Sequence, residues 1–201
     1  MCGIAGILHL NGAPVSVDVL KGMTDAIAHR GPDGEGRWTE GGIGLGHRRL
    51  AILDLSEAGR QPMSTTDGRY TISYNGEVYN FPELRKKLDH AGDSHWRGHS
   101  DTEVILAAIE KWGLVQALTK FVGMFAFALW DKKFKELFIA RDRMGEKPVY
   151  YGWSNNNFIF GSELHAIEAF HLFQNPICRS ALNLYMRYLY VPAPYSIYKN
   201  I

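Results

Sequence analysis

Cysteine is scarce in this chain: Cys2 and Cys178 are the only two among 201 residues. A single pair of thiols makes no stapled framework, which excludes the small disulfide-built scaffolds. Net charge is scarce as well. Lys and Arg number 22 against 21 Asp and Glu, leaving +1 at pH 7. That balance offers no field to nucleic acid or to an anionic membrane, so neither partner is expected. No apolar run approaches the ~20 residues that span a bilayer. The apolar N-terminus lacks a basic lead and a small-residue cleavage site, so no signal peptide is read there and a cytoplasmic, reducing location is expected. Internal repeats and low-complexity linkers are absent too. With 46% hydrophobic and 21% charged residues, the composition is that of an ordinary globular chain, long enough for one well-buried domain or at most two small ones.

What the chain has in quantity is short apolar alternation broken by turn residues. Strands are expected at 3–10, 42–54, 69–79, 125–131, 135–142, 148–154 and 157–163. Polar turns such as "DKKFK" (131–135) and "SNNN" (154–157) favour antiparallel hairpins over strand–helix–strand crossovers. Helices are expected in "SVDVLKGMTDAIAHR", where Val19, Leu20, Met23 and Ile27 share a face, and over about 179–190. Two more begin with capping-box signatures, Asn80 with Glu83 and Ser100 with Glu103. The last stretch, "YLYVPAPYSIYKNI", carries two prolines and no closing cap, and reads as cut from a longer chain.

Cys2 stands directly behind the initiator methionine. Aminopeptidases remove Met1 when the next residue is small, which would leave a thiol (pKa ~8.5) and an α-amine (pKa ~7.7–8.0) on one residue. The amine can then serve as base for the thiol, whereas with Met1 attached the nitrogen is an amide and accepts no proton. A small residue at a strand end is the plain alternative, and Cys2 alone does not decide between them. Cys178 reads as a free, buried core thiol.

Other groups are equally two-sided. Alternation in "YTISYNGEVYN" puts Tyr70, Ile72 and Tyr74 on one face and Thr71, Ser73 and Asn75 on the other. Asn75–Gly76 is also a strong hairpin signal. Asp101 follows the cap residue Ser100, where an acid favours the helix dipole. Arg48 and Arg49 have opposite strand parity, and the pattern does not say which meets a pocket. No histidine has ligand spacing with Cys2, so no metal site is expected. The aromatics of "FAFALW" and "PVYYGW" read as core.

Taken in order, "HRGPDG" (29–34), "GLGHRRLAILD" (44–54), "YNGEVYN" (74–80), "GHSDTEVIL" (98–106), "GMFAFALWD" (123–131), "ARDRMGEKPVYYG" (140–152) and "FGSELHAI" (160–167) resemble one family. It is the N-terminal glutaminase domain of glutamine-dependent asparagine synthetases, class II glutamine amidotransferases of the N-terminal-nucleophile hydrolase superfamily. The resemblance runs from Met1 to about Ile201 and implies an α+β fold, a four-layer αββα sandwich of two antiparallel sheets flanked by helices. It implies one amidotransferase domain over 1–201, with about 190–201 beginning the connection to a further domain.

The same resemblance implies hydrolysis of glutamine to glutamate and ammonia through a thioester on Cys2. Asn75 and the Gly76 N–H would form the oxyanion hole, glycine suiting the role because no side chain blocks close approach. Arg49 would grip the substrate α-carboxylate. Asp101, helped by Glu77, would bind the α-ammonium, and backbone of Leu50, Ile52 and Leu53 would line the pocket. His29 and Arg30 are implied to hold the loop over the nucleophile. No cofactor is implied here: ATP and Mg²⁺ belong to a C-terminal synthetase domain with an "SGGxDS"-type loop, which does not occur in this sequence. The implied partners are glutamine, that domain and a second copy in a homodimer. Alternatives are an amidotransferase serving another acceptor, such as a sugar or another carboxylate, and a non-catalytic glutamine-binding module. The one departure is His99 before "SD", where some members carry glycine.

Overall fold

Alternating apolar residues close into two antiparallel sheets in the computed structural model, which describes residues 1–89 and 96–201. In chain order the elements are β1 (Gly3–His9), α1 (Val17–Asp25), β2 (Gly34–Glu40), β3 (Ile43–Arg49), β4 (Met63–Ser64), β5 (Tyr70–Val78) and α2 (Phe81–Asp89). They continue with α3 (Asp101–Trp112), α4 (Leu114–Lys120), β6 (Gly123–Asp131), β7 (Glu136–Arg141), β8 (Tyr150–Ser154), β9 (Asn157–Gly161), α5 (Leu164–Glu168) and α6 (Arg179–Tyr188). One sheet has the order β2-β3-β1-β9-β8 and the other β4-β5-β6-β7.

Three apolar layers hold them together. Ala5 and Ile7 of β1 pack outward against Met23 and Ile27 and against Ala166, Ile167 and Phe170. Tyr70, Ile72 and Tyr74 of β5 pack outward against Val104, Ile105, Ala108 and Ile109 of α3. Between the sheets, Ile4, Ile43 and Leu45 meet Ala128, Trp130 and Phe160. Each fully buried aliphatic side chain contributes roughly 1.5–3 kcal/mol of transfer free energy, so each sheet is fixed from both faces. The result is the expected αββα sandwich. Among the described residues no helix is long and apolar enough to cross a membrane.

Several local expectations are corrected. The strand read over 42–54 ends at Arg49, because the chain beyond it turns towards Cys2 and Asp33: Ala51 N–H donates to Asp33 Oδ2 at 3.0 Å. β2 has only Trp38 as a large apolar residue and shows no alternation; its register with β3, Gly34↔Arg49 to Glu40↔Ile43, holds it in place. The short helices α4 and α5 carry no capping signature. Asn80 does not close a capping box, since its side-chain amide donates to Lys120 O (2.9 Å) and accepts from Val122 N (3.0 Å), tying α2 to the start of β6. Ser100 does cap α3, accepting from Glu103 N at 3.4 Å. Tyr151 and Trp153 are exposed rather than core. Cys178 is free and only half-buried, at the N-cap of α6.

Candidate active site

The site grows out of hydrogen-bond parity along β5. Asn75–Gly76 is no turn: both lie inside β5, paired with Ala126 and Phe125 of β6. In an antiparallel ladder, alternate residues point both backbone polar groups to the same side. Tyr79 N–H donates to Val122 O, so odd-numbered residues of β5 bond to β6. Phe125 gives its N–H to Asp142 Oδ2 (3.2 Å) and takes Asp142 N–H on its carbonyl (2.7 Å), so it faces away from Gly76. The N–H groups of Tyr74, Gly76 and Val78 therefore point to the opposite edge. β4 covers β5 only at Thr71 and Ile72, leaving that edge open beyond. There Tyr74 N–H donates to Gln61 Oε1 (2.7 Å) and Val78 N–H to Asp101 Oδ2 (2.9 Å). Gly76 N–H lies between them with no such acceptor among the described residues, facing an open cleft of about 140 Å³.

Cys2, Asn75 and Gly76 line this cleft together. Asn75 is buried, and its side-chain Nδ2 has no hydrogen-bond partner among the described residues. A buried amide donor without an acceptor costs about 1–3 kcal/mol, and here it sits in the wall beside the only thiol of the cleft. Gly76 is needed for a structural reason as well: a Cβ there would lie 2.6 Å from Phe125 Cα and run into Met124 O. The neighbouring strand by itself demands glycine there.

The cysteine is held from three sides. Arg30 Nε donates to Cys2 O at 2.9 Å while its guanidinium pairs with Glu163 at 2.8 Å, and His29 meets the same carboxylate. Ile4, two residues on, is fixed by its N–H donating to Ser162 Oγ at 2.9 Å. Cys2 Sγ accepts from Leu50 N–H at 3.4 Å. Burial pushes the thiol pKa up, against the lowering pull of the Leu50 N–H and of positive charge from the N-terminus and Arg49.

The structure separates the two arginines. Arg48 turns outward onto Asp25, Glu35 (2.8 Å) and Thr24 O (3.0 Å). Arg49 turns into the cleft, where its guanidinium holds the carbonyls of Ser56 (3.0 Å) and Asp54. It thereby pins the 50–60 loop, whose Leu50, Ile52 and Leu53 line the cleft as expected. Asp54 pins the loop a second time. It accepts from His99 N–H (2.9 Å), Ser56 N–H (2.8 Å) and Ser56 Oγ (2.6 Å), which together hold its carboxyl down to about 2.

Asp101 is buried rather than a surface dipole partner. Its Oδ2 accepts both Val78 N–H and the Tyr74 hydroxyl, the latter at 2.6 Å. Desolvation raises its pKa above the ordinary carboxylate value, against those hydrogen bonds. Glu77 lines the same cleft. All nine residues expected at the site therefore line one cleft, which brings carboxylates and a guanidinium together with a thiol and two unspent N–H donors.

Sequence reasoning missed the frame behind them. Tyr74 orients Asp101. Gln61 bridges Tyr74 N–H to the Thr102 hydroxyl (3.3 Å). His47 crosses from one sheet to the other, its Nε2 on Tyr74 O at 3.0 Å, and burial pushes its pKa down to about 4. Lys147 also reaches the cleft. His47 and Lys147 lay inside motifs already quoted; for His47 a polar residue of buried parity in β3 was the one signal, and Lys147, in the turn between β7 and β8, carried none. Among the described residues, no three His, Cys, Asp or Glu side chains cluster as a metal ion would need.

Comparison with known proteins gives this geometry a family. The chain is 44% identical over 172 residues to glutamine-hydrolysing asparagine synthetase 3 of Bacillus subtilis, covering 84% of this chain and 28% of that protein. It is 39% identical over 199 residues to asparagine synthetase 1 of the same organism, covering 96% and 30%. The chain thus spans less than a third of the length of these relatives. Its fold matches the glutamine phosphoribosylpyrophosphate amidotransferase of Bacillus subtilis with a TM-score of 0.73 at 21% identity, over 88% of this chain and 45% of that one. The family model described as a glutamine amidotransferase domain matches residues 1–201, and the chain belongs to that family.

Proposed function

We propose that the chain is the glutaminase half of a glutamine-dependent asparagine synthetase, and that Cys2, freed of Met1, is its nucleophile. The observation that carries the reading is the unpartnered Asn75 amide, buried beside the Gly76 N–H and the Cys2 thiol. Two unsatisfied donors converging next to a thiol are what a tetrahedral oxyanion requires.

In this reading glutamine enters with its α-carboxylate on Arg49 and its α-ammonium on Asp101 and Glu77. The Cys2 thiol gives its proton to the α-amine of the same residue, and the thiolate attacks the γ-carbonyl carbon. A C–S bond forms, and the carbonyl electron pair moves to an oxyanion held by Asn75 Nδ2 and Gly76 N–H. As the oxyanion collapses, the C–N bond breaks and the α-ammonium returns the proton to the departing nitrogen, which leaves as ammonia. Water, deprotonated by the α-amine, then attacks the thioester; the C–S bond breaks, and glutamate and the thiol are restored.

The named relatives are asparagine synthetases much longer than this chain, which supports an ATP-dependent aspartate amidation, in a further domain of the whole protein, as the fate of the ammonia. ATP and Mg²⁺ belong to that domain in this reading, and cytoplasmic work on glutamine accords with it. Incubating Met1-free protein with glutamine and measuring ammonia and glutamate tests the proposal. Equal release of both is expected, with none from protein that retains Met1. No ammonia from folded, Met1-free protein would overturn it.

A further inference from the structure

One cation of the cleft has no part in these steps. Lys147 is 5% exposed and, among the described residues, is the only lysine so deeply buried. Its backbone is clamped on both sides. Asp142 Oδ2 accepts from Lys147 N–H (3.0 Å) and from Phe125 N–H (3.2 Å), and Asp142 Oδ1 accepts from Glu146 N–H (2.9 Å). Arg141 Nε donates to Lys147 O at 2.6 Å. Phe125 is the β6 partner of Gly76, so this clamp anchors Lys147 behind the oxyanion-hole strand. From there its side chain lines the cleft with Cys2, Gly76 and Met124.

Among the described residues the Lys147 ammonium has no anion. Its Nζ meets Met1 Sδ at 3.1 Å, and among the described residues no carboxylate forms an ion pair with it. A buried charge lacking a partner is strongly unfavourable. Among the described residues, the one hydrogen-bond partner of the Lys147 ammonium belongs to the residue whose removal the mechanism requires.

We propose that Lys147 is the counter-charge for what Cys2 becomes once Met1 is gone: its ammonium favours the thiolate over the thiol and the free α-amine over the α-ammonium. No bond to Lys147 forms and no proton passes through it; the effect is electrostatic, in a site where little water intervenes. The proposal rests on the reading of Cys2 as nucleophile. The other groups facing Cys2 do not fill this role. Arg49 of β3 adds positive charge, but its guanidinium holds the Ser56 and Asp54 carbonyls and, in the proposed function, is matched by the substrate α-carboxylate; Arg30 is paired with Glu163 and Cys2 O. His47 of β3 is bonded to Tyr74 O, and Tyr74 of β5 to Asp101. Glu77, Asp101 and Asp54 bring negative charge, which opposes a thiolate.

The test is the rate of Cys2 alkylation by iodoacetamide as a function of pH, in Met1-free wild type, K147Q and K147R, with peptide mass spectrometry separating Cys2 from Cys178. In K147Q the Cys2 profile is expected to move up by about one pH unit, with alkylation near neutral pH slowed roughly 5–10-fold. K147R should restore it, and Cys178 should not move in either variant. A K147Q profile superimposed on wild type would overturn the proposal. If K147Q does not fold, K147M keeps the length of the stem and carries the same comparison. Ammonia release from wild type, measured in parallel, keeps the two readings apart: a shifted Cys2 profile without glutaminase activity overturns the proposed function and leaves Lys147 its role.

Discussion

The two walls of the cleft are built on different terms. The β5 wall is sheet: Tyr74 and Asn75 are buried, and the parity of the ladder aims the N–H groups of Tyr74, Gly76 and Val78 at one edge. The facing wall is the 50–60 loop, where Ile52 and Leu55 are 67% and 77% exposed. That loop is held by Arg49 and Asp54 through backbone carbonyls and N–H groups. Donors fixed by a sheet cost no reorganisation as charge develops, whereas a loop held by a few polar contacts can adjust to a ligand. In the proposed function, loss of an oxyanion donor from the β5 wall should therefore reduce turnover, whereas damage to the loop, or to the Tyr74 hydroxyl that orients Asp101, should reduce glutamine binding.

The sharpest break in that comparison is Asn75→Ala. Loss of one oxyanion donor should lower kcat by about 10²–10³-fold with KM changed less than about threefold. A rise in KM as large as the fall in kcat would place Asn75 in binding instead. Next is Tyr74→Phe, which leaves Asp101 short of one hydrogen bond. Steady-state kinetics should show KM for glutamine up about 5–10-fold with kcat within twofold, the worth of roughly one such bond. Unchanged KM would mean that the hydroxyl does not orient Asp101.

His47 sharpens the contrast from the side of stability. Its pKa is depressed to about 4 by burial, so between about pH 6.5 and pH 4 the unfolded chain binds a proton that the fold does not. Stability present above pH 6.5 should fall as pH drops, by up to about 1.4 kcal/mol per pH unit from this residue. Urea unfolding of His47→Gln at several pH values should show that acid slope flattened; an unaltered slope would assign it elsewhere. The smallest effect belongs to the loop. Asp54→Ala should raise KM about threefold and cost about 1 kcal/mol near neutral pH, after allowance for screening. Asp54's depressed pKa makes its contribution present above the unfolded value near 3.9 and lost as pH falls towards 2. A kcat loss exceeding the KM effect would contradict the division between walls.

The same contrast explains what could be read without coordinates. Sheet positions were legible where alternation is strong: the faces of Tyr70, Ile72 and Tyr74 came directly from period two, and Cys2 stood out by its place in the chain. Arg48 and Arg49 were not separable, because parity names a face but not what lies across it. Only the packing of Asp25 and Glu35 on one side, and of the loop on the other, decides between them. The loop was misread as strand to residue 54 because its apolar Leu50, Ile52 and Leu53 continue the pattern while its hydrogen bonds go to Cys2 and Asp33. Lys147 was invisible for a related reason: a lysine in a polar turn reads as solvated until the clamp from Asp142 and Arg141 is seen to turn it inward.

The central claim, that Cys2 carries the acyl group, is met most directly by acid-quenching Met1-free protein during turnover of glutamine and analysing its N-terminal peptide by mass spectrometry. The expected result is a γ-glutamyl group on Cys2 that is lost on incubation at neutral pH, and no ammonia from Cys2→Ala. A Cys2→Ala protein that releases ammonia at the wild-type rate would contradict it.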